Sequence, residues 1–106
     1  MSNSIYNSLD ILFKVVIQKL KKHQEFNAIN VVYEIQEIEN KINHLKISDI
    51  EKYNKITDGL DIESYFKDKY NLLIEFANEN NCLSFLRNLS KTIQHWNLDG
   101  LESPHL

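Results

Sequence analysis

Histidine, cysteine and acidic side chains are the groups in this sequence that could bind a metal or act on a substrate. The 106 residues include four histidines, one cysteine and fifteen acidic residues. A metal site in a helical bundle takes glutamate–histidine pairs three positions apart on facing helices. Glu34 and Glu37 are three apart, but no histidine lies at that spacing from a helical glutamate. We therefore expect neither a metal nor a cofactor.

A nucleophile or a phosphate-binding loop is equally hard to assign. Cys82 occupies an apolar position of a helical pattern, where a cysteine behaves as a small buried hydrophobic residue. The sequence has two glycines, which cannot form the glycine-rich loop that cradles a phosphate. We predict no catalytic residue and hence no enzyme.

One enzymatic alternative rests on Arg87, Asn88 and His95. These residues resemble the Arg–polar–His motif of the HEPN ribonucleases, which are helical nucleases. The eight positions between Arg87 and His95 place them about 80° apart around a helix axis, whereas a spacing of seven would align them. Ribonuclease activity is therefore the third hypothesis, behind two that involve no catalysis.

The elements that position these residues are predicted to be helices. Average proteins contain about 7% glycine and 5% proline, but this chain has two glycines and one proline. A sheet of this length needs several tight turns rich in those residues. We predict an all-α fold, a small antiparallel bundle of four to five helices in a single domain over residues 1–106.

Apolar periodicity and capping residues set the predicted helix boundaries. The first helix covers 5–22, the second starts after Asn27 and runs to about Leu45, and the fourth covers 62–79 with Asp61 as its cap. Ser48 and Glu51 fit a capping box that opens a short third helix ending near Thr57. The fifth helix starts around Cys82, and residues 101–106 form a frayed tail.

The second helix carries a heptad seam, which indicates packing along its length against neighbouring helices. Its members alternate spacings of three and four: Ala28, Val31, Ile35, Ile38, Ile42 and Leu45. The seam is short for a free-standing coiled coil. We expect a monomer or a weak dimer.

The formal net charge of −3 is unevenly distributed along the chain. Residues 1–25 are net positive, whereas 26–51 and 52–81 are net negative. With a single arginine in the chain, we expect no nucleic-acid binding. Two acidic groups could together form a surface that attracts a basic partner: Glu34, Glu37 and Glu39 in the second helix, and Asp58, Asp61 and Glu63 after the third.

Tyrosines supply candidate anchors for such a surface, because tyrosine buries a large area and keeps a hydroxyl for hydrogen bonding. Tyr53 and Tyr65 flank the turn that contains Asp58, Asp61 and Glu63. Tyr33 and Tyr70 also lie in the acidic middle of the chain, and core packing explains all four tyrosines less well than it explains one. We predict Tyr53 and Tyr65 as partner-binding residues beside the six acids.

Two fragments resemble parts of bacterial toxin-immunity proteins, which neutralise a basic nuclease toxin by covering it. Residues 48–53 (SDIEKY) resemble the short acidic helix with tyrosine of nuclease-bacteriocin immunity proteins, and residues 92–100 (TIQHWNLDG) resemble their closing helix. The small, acidic, helical composition is also similar to immunity proteins of contact-dependent growth inhibition. The resemblance implies a helical inhibitor whose partner is a cognate protein toxin.

The leading hypothesis is therefore an immunity protein that acts by steric and electrostatic blockade. The alternative is a helical adaptor that binds a partner helix in an apolar groove, which predicts binding that is insensitive to salt. No hydrophobic leader follows the first Met and no run is long enough to span a bilayer, so we expect a cytoplasmic protein without membrane contact.

Overall fold

The structure is a computed structural model that describes residues 5–93 and 96, and these form five helices without a strand. The all-α prediction is confirmed. The helices are α1 (Ile5–Lys21), α2 (Glu25–Ser48), α3 (Ile50–Thr57), α4 (Ile62–Glu79) and α5 (Leu83–Thr92).

Local chemistry explains where most of these helices begin and end. The Asp61 side chain accepts a hydrogen bond from the backbone N–H of Glu63 and caps α4, as predicted. Asp58 and Gly59 close α3 in the left-handed conformation, with φ of 56° and 72°, which glycine and aspartate tolerate better than most residues. Asn81, also left-handed, separates α4 from α5.

The boundary between α2 and α3 differs from the prediction. Helix α2 begins at Glu25 and continues through Ser48, whose hydroxyl donates to the His44 carbonyl at 3.0 Å. Asp49 instead caps α3 by accepting from the backbone N–H of Lys52 at 3.2 Å. The predicted Ser48–Glu51 capping box is therefore wrong, because Ser48 belongs to the preceding helix. Helix α5 ends at Thr92.

Two antiparallel hairpins, α1–α2 and α4–α5, pack face to face to form the bundle. Tyr6 contacts Tyr65 through ring centroids 5.0 Å apart, and Asp10 pairs with Lys69 at 3.3 Å. The second contact lies four residues further along the chain than the first in both helices, so α1 and α4 run side by side in the same direction. Helix α3 lies near the start of α1, where the Tyr6 hydroxyl donates to the Thr57 carbonyl at 3.2 Å.

Helices α2 and α5 form the second pair that runs in one direction. Near their starts, the Glu25 carboxylate accepts from the backbone N–H of Phe85 at 2.7 Å. Further along, the Gln36 side chain donates to the Thr92 carbonyl at 2.7 Å. These two polar contacts, one near the helix starts and one further along, fix the register of α2 against α5.

The core lies between the four long helices and is lined by the apolar stripe of each. The predicted seam of α2 is buried at Ala28, Val31, Ile35 and Ile42 and half-buried at Ile38 and Leu45. Aromatic rings from α1 and α4 fill the centre, with Phe13 in edge contact with Phe66 and Tyr70. Among the described residues, no helix is long and apolar enough to serve as a membrane span.

Candidate protein-binding surface

The turn between α3 and α4 presents three carboxylates around an exposed leucine, and we refer to Asp58, Leu60, Asp61 and Glu63 together as the acidic turn. The three acids are exposed, and Leu60 retains 60% of its surface in solvent. Isolated exposed leucines are common on protein surfaces, but this one is flanked by like charges on both sides. The arrangement can present an apolar contact within a negative field.

Backbone hydrogen bonds hold the acidic turn in one conformation. The N–H of Gly59 donates to the Asn54 carbonyl, and the N–H of Leu60 donates to the Thr57 carbonyl, each at 3.0 Å. Asp61 caps α4 through Glu63, and its second oxygen accepts from the Ser64 hydroxyl at 2.9 Å. The turn is thus a preorganised surface feature, which lowers the entropy that binding would otherwise cost.

A cavity of about 250 Å³ adjoins the acidic turn and is open to solvent on one side. Its polar lining consists of Glu63 of α4 and of Glu39 and Asn43 of α2. The remaining lining is apolar and aromatic: Ile62, Phe66 and Trp96. The cavity therefore extends the negative field of the turn toward α2.

Glu39 is buried, which contradicts the prediction that it lies on the acidic surface. Only 4% of its surface is exposed, and its carboxylate accepts from the Tyr70 hydroxyl at 2.9 Å and from Trp96 Nε1 at 3.1 Å. Burial, together with the negative charge of Glu39, raises the pKa of Tyr70 well above its ordinary value. Glu39 serves as an internal hydrogen-bond acceptor.

Glu34 and Glu37 are exposed as expected, but they lie on the far side of α2. Because each residue turns the helix by 100°, these two side chains leave α2 at about 140° and 160° from the direction of Glu39. Glu63 lines the same cavity as Glu39, so Glu34 and Glu37 face away from it. The two predicted acidic groups therefore form separate surfaces.

Tyr53 and Tyr65, predicted as partner-binding anchors, contribute most of their contacts to the fold: Tyr53 is buried and Tyr65 is half-buried. Tyr53 retains 7% of its surface. The half-buried Tyr65 donates its hydroxyl to Asp10 Oδ1 at 2.5 Å, and its pKa is raised by burial and by that carboxylate. Tyr70 is fully buried. Packing within the fold therefore explains Tyr53, Tyr65 and Tyr70, three of the four tyrosines in the acidic middle of the chain.

Sequence reasoning missed Leu60 and Phe26, two exposed residues that could anchor a partner, and it named Tyr33 without selecting it as an anchor. The segment around Leu60 was considered only as a turn with acidic residues. Phe26 and Tyr33, which are 75% and 45% exposed, leave α2 within about 40° of the direction of Glu37. A signal was available for Phe26 and Tyr33, because neither belongs to the heptad seam.

The candidate catalytic groups are not assembled within the described residues. Cys82 is 1% exposed, and burial raises the pKa of its thiol, which disfavours the reactive thiolate. No group of three or more potential metal ligands occurs in residues 5–93 and 96. Arg87 is exposed on α5, whereas His95 lies outside the described residues.

Comparison with known proteins adds no relative: no protein-family model matches the chain, and neither a curated protein nor a solved structure matches it.

Proposed function

We propose that the protein is a stoichiometric inhibitor of a basic protein toxin, an immunity protein that acts by covering the toxin's surface. The observation that carries this proposal is the acidic turn, in which three carboxylates surround the exposed Leu60. The resemblance of residues 48–53 and 92–100 to nuclease-bacteriocin immunity proteins supports the choice of a nuclease as the toxin.

The charge of the acidic turn supports binding to a positively charged partner. Asp58, Asp61 and Glu63 lie within six residues, and all three are exposed. Nuclease domains carry a positive surface because they bind phosphates. Complementary charge accelerates the encounter of two proteins and makes its rate sensitive to salt.

The rigidity of the turn supports affinity once the partners meet. Leu60 sits between two hydrogen-bonded helix ends, so its side chain is presented without ordering a flexible loop. An apolar centre with a polar rim is the usual arrangement of a protein interface. Blockade of this kind needs no chemistry on the inhibitor.

Affinity capture tests the proposal. The tagged protein is incubated with native lysate, washed at low and then high salt, and the captured protein is identified by mass spectrometry. We expect a basic nuclease domain that is retained one-to-one and released by salt. The purified nuclease should lose its activity on a nucleic-acid substrate at an equimolar amount of this protein.

Two results would contradict the proposal. Capture of a regulatory partner that resists high salt would favour the adaptor hypothesis. Nuclease activity that remains in the presence of excess bound protein would show that binding does not block the toxin.

A further inference from the structure

A groove runs between α1 and α4, on a different part of the surface from the acidic turn. It consists of two hollows of about 280 and 210 Å³ that adjoin each other, since both are lined by Ile17 and Leu72. Leu72 is 49% exposed and Ile17 is half-buried. Phe13, Leu73 and Phe76 complete an apolar floor.

The two walls of the groove carry opposite charges. Lys14 and Lys21 stand on the α1 wall, and Glu75 and Glu79 stand on the α4 wall. On α1, Lys14 and Lys21 project within about 60° of the direction of Ile17, on its solvent side. On α4, Glu75 and Glu79 project within about 60° of the direction of Leu72, also on its solvent side. The groove therefore has a basic side, an apolar centre and an acidic side.

One end of the groove is closed by a contact that crosses it. Asp10 of α1 and Lys69 of α4 form an ion pair of 3.3 Å, and the Lys69 ammonium lies 5.6 Å from the centre of the Tyr65 ring. From this pair to Lys21 the groove spans about eleven residues of helix, or about 16 Å. That length accommodates about three turns of an added helix.

We propose that this groove binds an amphipathic α-helix of a partner protein, with an apolar stripe flanked by acidic residues on one side and basic residues on the other. The apolar floor receives the stripe, Lys14 and Lys21 pair with the acidic flank, and Glu75 and Glu79 pair with the basic flank. This mode of recognition uses the helix-in-groove principle. It is independent of the inhibitor function, because neither Leu72 nor Ile17 belongs to the acidic turn.

Two synthetic helices test the proposal by their order of affinity. Both contain about 18 residues, since shorter isolated helices are marginally stable in water, and both carry the same leucine stripe. The mixed-flank peptide has glutamates on one side and lysines on the other, whereas the all-lysine peptide has lysines on both. Fluorescence anisotropy with labelled peptide measures binding to the full chain.

We expect the mixed-flank peptide to bind about tenfold more tightly than the all-lysine peptide. A general attraction to this acidic protein would give the opposite order, because its net charge is −3. The K14E/K21E variant makes both walls acidic and should reverse the preference. K41E/K52E carries the same charge change at exposed positions outside the groove and should keep the original order.

A second pair of variants tests the apolar floor. Leu72→Asp should weaken binding of the mixed-flank peptide by at least about tenfold, whereas Leu83→Asp, at a comparably exposed leucine on α5, should not. Circular dichroism establishes that each variant remains helical. Equal binding of the two peptides, or the same response from K14E/K21E and K41E/K52E, would overturn the proposal. A dimer that Leu72→Asp dissociates in ultracentrifugation would also overturn it, by assigning the groove to a second copy.

Discussion

The hydroxyl of Tyr70 donates a hydrogen bond of 2.9 Å to Oε1 of Glu39, which lies thirty-one residues earlier in the chain. The other carboxylate oxygen accepts from Trp96 Nε1 at 3.1 Å. Glu39 thereby connects α2 to α4 and to the segment after α5. A buried carboxylate is tolerated in a core only when donors of this kind compensate for its lost hydration.

Removing the Tyr70 hydroxyl should destabilise the fold. Tyr70→Phe deprives the buried Glu39 carboxylate of one donor, and we expect the free energy of unfolding to fall by about 1–3 kcal/mol. Tyr33→Phe makes the same chemical change at a site that is 45% exposed and should stay within about 0.5 kcal/mol of the wild type. Equal stability of the two variants in urea unfolding would contradict a structural role for the bond.

The ion pair of Asp10 should make stability depend on acid pH. Partial burial opposes ionisation of Asp10, but the hydrogen bond from Tyr65 and the contact with Lys69 outweigh it and lower the pKa of this carboxyl. A lowered pKa in the folded state stabilises the fold above the unfolded value of about 3.9. That contribution is lost as pH falls through the folded value.

Asp10→Asn should therefore be less stable than the wild type at neutral pH, by at most about 1 kcal/mol because solvent screens the pair. The difference should shrink toward zero as urea unfolding is repeated at pH values falling below about 4. Asp68→Asn, at an exposed position of α4, is the charge-matched control at neutral pH. A difference between Asp10→Asn and the wild type that persists unchanged in acid would argue against this electrostatic account.

Alkaline pH should ionise Tyr65 and Tyr70 only when the protein unfolds. Burial, and then the nearby carboxylates, raise the pKa of Tyr65 and Tyr70 above the ordinary value of about 10. Because the raised values belong to the folded state, stability holds below about pH 10 and declines above it. The share of tyrosinate absorbance that Tyr65 and Tyr70 contribute should rise in step with loss of helical circular dichroism, and complete ionisation in a still-helical chain would refute the prediction.

The thiol of Cys82 should be protected in the native protein. It is 1% exposed, and burial, followed by the charge of Glu25, raises its pKa. We expect a thiol-specific reagent to modify it slowly in buffer and rapidly in urea, since modification requires opening of the α4–α5 connection. Rapid modification without denaturant would indicate a reactive cysteine.

Features that depend on neighbouring residues were predictable from the sequence, and the helix boundaries around α4 illustrate this. Asp61 caps a helix because its side chain reaches an amide two residues away, and Asn80 with Asn81 ends it for equally local reasons. The heptad seam of α2 identified its buried face. Even so, Ser48 was assigned to the wrong helix, because its pattern fitted a cap as well as a last turn.

The candidate site was less predictable because burial depends on distant partners. Glu39 lies off the heptad seam like Glu34 and Glu37, and only contacts with residues 31 and 57 positions away distinguish it. The hydroxyl of Tyr65 likewise donates a hydrogen bond to a carboxylate 55 positions earlier. No local pattern predicts such long-range pairs. The sequence therefore identifies the acidic residues but does not show which of them are exposed on the same surface.

The central claim, that the acidic turn recognises the toxin, is tested most directly by association kinetics with the captured nuclease. D58N/E63Q removes two charges while asparagine still tolerates the left-handed backbone at position 58, and E34Q/E37Q removes two charges from the opposite side of α2. We predict that D58N/E63Q slows association and flattens its salt dependence, while E34Q/E37Q leaves both near the wild type. Unchanged kinetics for D58N/E63Q, or a larger effect of E34Q/E37Q, would contradict the account.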